Sequence, residues 1–324
     1  MSHKDLTYWQ AGIESTPGTP IAATRRLYEI GEIPEEKREK EYVPQARQNF
    51  IENYDAVEVS ARTEFTLESP ALSYNDLAWW AELFLKGGVS PTGVGPYVRV
   101  YNGAGATDDL KTATFEAADG VGAFQIPYAF GDAFEIKGKN GSKPGPVSAK
   151  WDLIGQKVTP GHTMTAALSE RDLVGTYMVA QHATFFLDDA AGGIGGTEIG
   201  TLMEFSIKMK NNTDPIFFGG DSLAYSAKRR ENRYLEVMVK LLFDATSYAE
   251  FTSKFRTNAA RFCQVKIANG VNNIAAWNMH TKFHAYAWPE DGPTRQVSLL
   301  GRSIYNPTLG YDWQLSLTNQ LAAI

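Results

Sequence analysis

A strand, a tight turn and a helix occur in succession twice in this chain, and that repetition limits its fold more than any other feature. In the first instance Val57, Val59, Ala61, Thr63, Phe65 and Leu67 alternate with Glu58, Ser60, Arg62, Glu64, Thr66 and Glu68, the period of a strand with one wet face. After Pro70, Ser73 followed by Asp76 predicts a helix cap, and Leu77, Trp80, Ala81 and Phe84 recur at helical spacing until Gly87 and Gly88. The second instance has Leu235, Val237, Val239 and Leu241, then Ser247 with Glu250 as the expected cap and Tyr248, Phe251 and Phe255 as an apolar stripe ending before Asn258. Another strand is expected upstream of each unit, at 27–31 and 203–209, which sets Tyr28 against Phe205 and Phe65 against Leu241. The halves also end alike, Trp151, Leu153, Ile154 and Gly155 matching Val297, Leu299, Leu300 and Gly301. Duplication is the economical reading, and an ordinary two-domain chain with a chance likeness is the other.

The 324 residues are enough for two domains, each with a core. The polar stretch 159–172 is the expected boundary, giving domains 1–165 and 166–324. With 43% hydrophobic and 21% charged residues and no apolar run of bilayer length, the composition is that of a globular protein outside membranes. No secretion signal is expected at residues 1–10. The single cysteine, Cys263, rules out an internal disulfide framework and reads as a small buried residue on a strand. A net charge of −6 disfavours a protein that grips nucleic acid through basic surface. It is compatible with one that lets DNA slide past.

No catalytic or cofactor motif emerges. In the cluster Gly192-Gly193-Ile194-Gly195-Gly196, Glu198 stands where a dinucleotide fingerprint needs glycine, and no P-loop Lys-Ser or Lys-Thr follows. His280 and His284 lie on a strand-like segment, too far apart for one zinc ion. His3, His162 and His182 are isolated, and no nucleophile elbow is present. The chain is therefore read as carrying no catalytic, cofactor or metal site, and as no enzyme. Residues 11–24 form an extended arm rich in turn-forming residues. Two long insertions, 34–55 and 211–233, mix charges with aromatics and are read as contact surfaces. The first carries Lys37, Arg38, Tyr42, Arg47 and Phe50, its charged run 34–40 expected as a solvated loop or surface helix. The second carries Phe217, Phe218, Tyr225, Arg229 and Arg230.

Taken together, Gly12-Ile13-Glu14-Ser15-Thr16-Pro17-Gly18-Thr19-Pro20-Ile21-Ala22-Ala23-Thr24, the strand, loop, strand and helix order of 28–86, and the closing Asp291-Gly292 hairpin with its Val297 to Gly301 strand resemble the major tail tube proteins of long-tailed, siphovirus-like bacteriophages. The resemblance implies a mainly β fold with some α: two tandem β-sandwich or barrel domains, each with a flanking helix. It implies a virion protein whose stacked rings form the hollow tail tube, the conduit for DNA ejection, with the long loops reaching the neighbouring ring. Its partners would be further copies of itself, a tape measure protein, tail terminator and tail-tip proteins, and double-stranded DNA that passes without specific binding. No cofactor and no membrane are implied, and assembly in the host bacterial cytoplasm is. Simple members carry one domain in six-membered rings, so two fused domains would close the ring as a trimer. The acidic balance would then make the lumen non-adhesive. The competing readings are a β-sandwich that binds or hydrolyses carbohydrate through its aromatics, and a tail terminator or tail-tip component of related fold.

Overall fold

Alternating apolar and polar residues and turn signals at short intervals give strands over more than half of the chain, with two short α-helices among the described residues. The structure, a computed structural model, describes residues 7–31, 34–45, 53–103, 109–141, 143–169, 176–199, 202–218, 223–288, 290–291 and 294–324. The first half contains β1 (Tyr8–Ile13), β2 (Arg25–Leu27), β3 (Ile30–Gly31), β4 (Glu35–Pro44), β5 (Asn53–Ser69), helix α1 (Tyr74–Phe84), β6 (Tyr97–Asn102), β7 (Ala113–Ala118), β8 (Ala123–Lys139), β9 (Ser148–Gly155) and β10 (Thr159–Pro160). The second contains β11 (Ala183–Asp188), β12 (Glu198–Ile199), β13 (Leu202–Lys210), β14 (Thr213–Ile216), β15 (Ala227–Arg230), β16 (Tyr234–Leu242), α2 (Ala245–Ala249) running into a π-helical turn (Glu250–Phe255), β17 (Arg261–Asn269), β18 (Asn273–Ala287), β19 (Glu290–Asp291), β20 (Thr294–Ser303) and β21 (Trp313–Asn319).

Antiparallel pairing joins eight of these strands in the order β4, β5, β9, β8, β13, β16, β20, β18. The order repeats: the first four and the last four make the same connections. A second layer repeats in the same way. The first parts of β8 and β18 leave the eight-stranded sheet to pair with β7 and β17, which pair in turn with β1 and β11. Each long strand carries a bulge where it changes sheet, between Gly131 and Ala133 in β8 and between Phe283 and Ala285 in β18. With Gly155 and Gly301 as corresponding positions, Phe65 faces Leu153 and Val239 faces Leu299. The counterpart of Phe65 is thus Val239, two residues before the expected Leu241.

Between the layers lies an aromatic core. Trp80 stacks on Trp151 at 4.7 Å and Trp9 on Phe65 at 5.4 Å, with Phe115 edge-on to Trp9 and Trp79. Such a ring, fully buried, contributes about 2–3 kcal/mol. One continuous apolar cluster runs from Trp9 through α1 to Leu317, so the two halves share a core. They are also joined by β8 with β13 and by β6 with β21.

Helix α1 begins where expected. The Asp76 amide donates to the Ser73 hydroxyl at 2.9 Å, and that hydroxyl donates to the Asp76 carboxylate at 2.8 Å. Its environment differs from the expected one-sided stripe, because every residue except Asn75 is buried. Both halves supply the cover: Phe115 and Arg25 of the first half pack on Trp79, and from the second half Asn319 of β21 donates to the Tyr74 carbonyl. The second helix starts earlier than Ser247. Asp244 is its cap, accepting from the Ser247 amide at 2.8 Å, while the Ser247 hydroxyl accepts from the Asp244 amide. Ser247 is thus the far member of the capping box.

Candidate assembly interface

The run 34–40 is neither loop nor helix. Residues Glu35–Pro44 form β4, paired along β5 from Glu64 to Asn53. No apolar alternation signals this strand, which is held by its partner's backbone and by cross-strand charges: Lys37 with Glu64, Arg38 with Glu58 at 3.3 Å, and Arg62 with Glu39 at 3.9 Å. Near its tip the hairpin projects from the body, which leaves Val57 and Val59 about half exposed although the sequence pattern points them inward. Lys37, Arg38 and Tyr42 all lie on this hairpin, Tyr42 at 62% exposure. Arg47 and Phe50 lie outside the described residues.

The second insertion also forms a hairpin, β14 with β15. It folds back over the first half. Tyr225 is fully buried, its hydroxyl donating to the Tyr128 carbonyl at 2.7 Å, with Tyr128, Phe130 and Phe217 packed around it. Lys228 donates to the Leu110 carbonyl at 2.6 Å. Tyr225 is therefore an internal anchor and not a surface contact, which corrects its expected role. Phe218 and Arg229 are exposed, and Arg230 is half-buried. The two insertions meet at their roots, where the Ala61 amide donates to the Leu223 carbonyl at 2.8 Å.

Local anchors that the sequence did not reveal fix the N-terminal arm. The buried Glu14 carboxylate accepts from the Gly18 and Tyr128 amides and from the Thr112 and Thr114 hydroxyls, at 2.7–2.9 Å. Glu116 holds the chain between the halves by accepting from the Thr165 amide and hydroxyl at 2.8 Å and from Gln10 at 2.6 Å. Only the turn-rich composition of the arm hinted at such a need.

The eight-stranded sheet has one face in the core and one open face. Registered neighbours on the open face alternate in sign from β5 to β20, Glu68 beside Lys150, Lys150 beside Glu135, Glu135 beside Lys208, Lys208 beside Glu236 and Glu236 beside Arg302, until Lys282 of β18 stands beside Arg302. Contacts follow this order, with Lys208 at 3.0 Å and Lys137 at 2.7 Å from Glu135, Lys240 at 2.6 Å from Glu204, and Arg302 at 2.7 Å from Glu236. Partial burial pushes the Glu135 carboxyl up, but hydrogen bonds from Lys137, Lys208 and Ser206 outweigh it and hold the group below its ordinary value. Glu64 is held down in the same way by Lys37 and Arg62 against its own desolvation. The net negative charge of the chain is thus not concentrated on this row, where acids and bases alternate up to Arg302.

The sheet ends in two edges. On one side β4 pairs only with β5 among the described residues. On the other, Lys282 to Ala287 of β18 pair only with β20 among the described residues. The corresponding stretch of β8, Ala133 to Lys139, has β9 on one side and β13 on the other. The edge used inside the chain by the first half is therefore open in the second.

Elsewhere, Cys263 is fully buried with its sulfur 3.3 Å from the Thr281 hydroxyl, and burial pushes the thiol up to about 12. The His280 ring stacks on Phe262, and its Nδ1 lies 3.1 Å from the Ile304 carbonyl oxygen. Among the described residues no helix is long and apolar enough to cross a membrane.

Open sheet edges and a twice-used four-strand order define a mainly antiparallel β protein with edges available for further pairing. Comparison with protein families agrees: the profile of the phage tail tube protein family matches residues 7–276, and the chain belongs to that family. No curated protein matches it.

Proposed function

We propose that this chain polymerises into stacked rings forming the tube of a long-tailed phage, through which DNA leaves the virion. The observation that carries the reading is the join of β8 to β13, whose registered pairs run from Lys139 with Glu204 to Ala133 with Lys210. The same kind of join between the free stretch of β18 and the β3–β4 edge of another copy would continue the sheet from chain to chain. The halves are read as duplicated domains, 1–165 and 166–324. Each chain then supplies two four-strand units, and three chains close a pseudo-sixfold ring. The open face becomes the wall of the channel. From β5 to β20 the row of bases is interleaved with acids, so passing DNA meets no continuous basic track there.

The β4–β5 hairpin, with Lys37, Arg38 and Tyr42, and the exposed Phe218 and Arg229 are proposed as contacts between rings. The remaining partners are a tape measure protein, a terminator and tip proteins. The protein would assemble in the bacterial cytoplasm and reside in the virion tail. A sugar-binding platform has less support, since Trp9, Trp79, Trp80, Trp151, Trp277 and Trp313 are all interior. Native mass spectrometry of isolated rings, with electron microscopy, tests the proposal. Trimer mass and hollow stacks are expected, whereas monomers at every concentration, or rings of six chains, would overturn it.

A further inference from the structure

The two helices occupy corresponding places in the repeated order, yet their surroundings differ. Helix α1 is enclosed from both halves: Asn319 of β21 donates to the Tyr74 carbonyl, and Tyr101 of the first-half strand β6, which pairs with β21, donates to the Ala78 carbonyl at 3.3 Å. In α2 only Ser247 is buried. Around α2 and the end of β18 lie five aromatic rings in mutual contact. Trp288 is 4.9 Å from Phe243 and 5.0 Å from Tyr286, Tyr248 is 6.2 Å from Phe243, and Phe255 is 5.5 Å from Tyr286. The Tyr286 hydroxyl donates to the Ser247 carbonyl at 2.9 Å, tying strand to helix. Tyr248 is 51% and Trp288 45% exposed. This patch continues directly from the open edge of β18.

We infer that this aromatic patch is the seat for the first half of a second copy of the chain, in the place that β21 takes over α1. The occupant follows from the repeat. Strand β21 lies along the first part of β18, and the strand in that position on β8 is β10, Thr159 paired with Gln125. A neighbour joined at the open β18 edge therefore brings its Thr159–Pro160 strand, with the adjoining Val158, over α2. Aromatic rings at such a seat supply the desolvated anchor that a polar sheet edge lacks. The inference rests on the ring reading and adds to it the residues that exclude water at the seam.

Trp288 offers a direct readout, because the other six of the chain's seven tryptophans are buried. Acrylamide quenching of tryptophan fluorescence should show one accessible ring in the dilute full-length chain. That accessible component should fall to the level of the buried rings once the chain assembles. Tyr248→Glu, at an exposed site, should leave the circular dichroism unchanged and raise the concentration at which assembly begins on the order of tenfold or more, since a carboxylate must be desolvated. Assembly with Trp288 as quenchable as before, or a Tyr248→Glu chain assembling like the parent, would overturn the seat while leaving the rings intact. A parent chain that never assembles would overturn the ring reading and the seat with it.

Discussion

Glu14 shows how much a single buried side chain can organise. Its carboxylate satisfies four donors from three separate stretches, so Glu14→Ala leaves those donors unpaired and should cost about 2–4 kcal/mol. A lowered urea midpoint with unchanged slope is the expected result. Gly131 is constrained by packing: a Cβ there would stand 2.4 Å from Phe84, so Gly131→Ala should cost about 1–3 kcal/mol by the same measurement. Glu135 carries a pH signature. Its folded-state pKa lies below its unfolded value near 4.5, so its contribution is complete above that pH and lost as pH falls through the depressed value. Glu135→Gln should accordingly flatten the acid limb of the stability curve relative to the parent chain. At this scale the sequence was informative where chemistry is local. The Ser73 cap and the buried Cys263 were readable from neighbours in the chain, whereas Tyr225 was misread because its surroundings come from residues about a hundred positions away.

The β4–β5 hairpin is an element without a core of its own, held by backbone pairing and by surface ion pairs that are each weak. Removal of Lys37 to Arg47 should therefore leave a folded protein, by circular dichroism and thermal melting, that fails to form long tubes. Tubes of normal length from this deletion would refute the inter-ring role of the hairpin. Strand β5 was legible because Ala61, Thr63, Phe65 and Leu67 alternate above a core. Strand β4 was not, since Glu35 to Glu41 carry charge on both faces and burial leaves no periodic trace. Helix α1 was legible in its start and missed in its burial. Its apolar stripe records the contact with its own sheet, while the bond from Asn319 to the Tyr74 carbonyl comes from the far end of the chain and leaves no local trace.

In the whole molecule, repetition was readable and the shared core was not. The matched strand order was foreshadowed by the recurring unit, but the pairings of β8 with β13 and of β6 with β21 cross between halves and have no local signature. A single cooperative unfolding transition is expected, and residues 1–165 expressed alone should not reach a native state, because α1 would lose β21. Two transitions by calorimetry would show that the halves fold independently. The join of β8 to β13 has one more consequence if rings form as proposed. Partners tethered on one polypeptide meet at an effective concentration fixed by the linker, whatever the dilution. A circle of three such chains then loses translational freedom at two encounters in place of five, the last contact closing within the ring, and nucleation of the tube becomes correspondingly less sensitive to how much protein the infected cell contains.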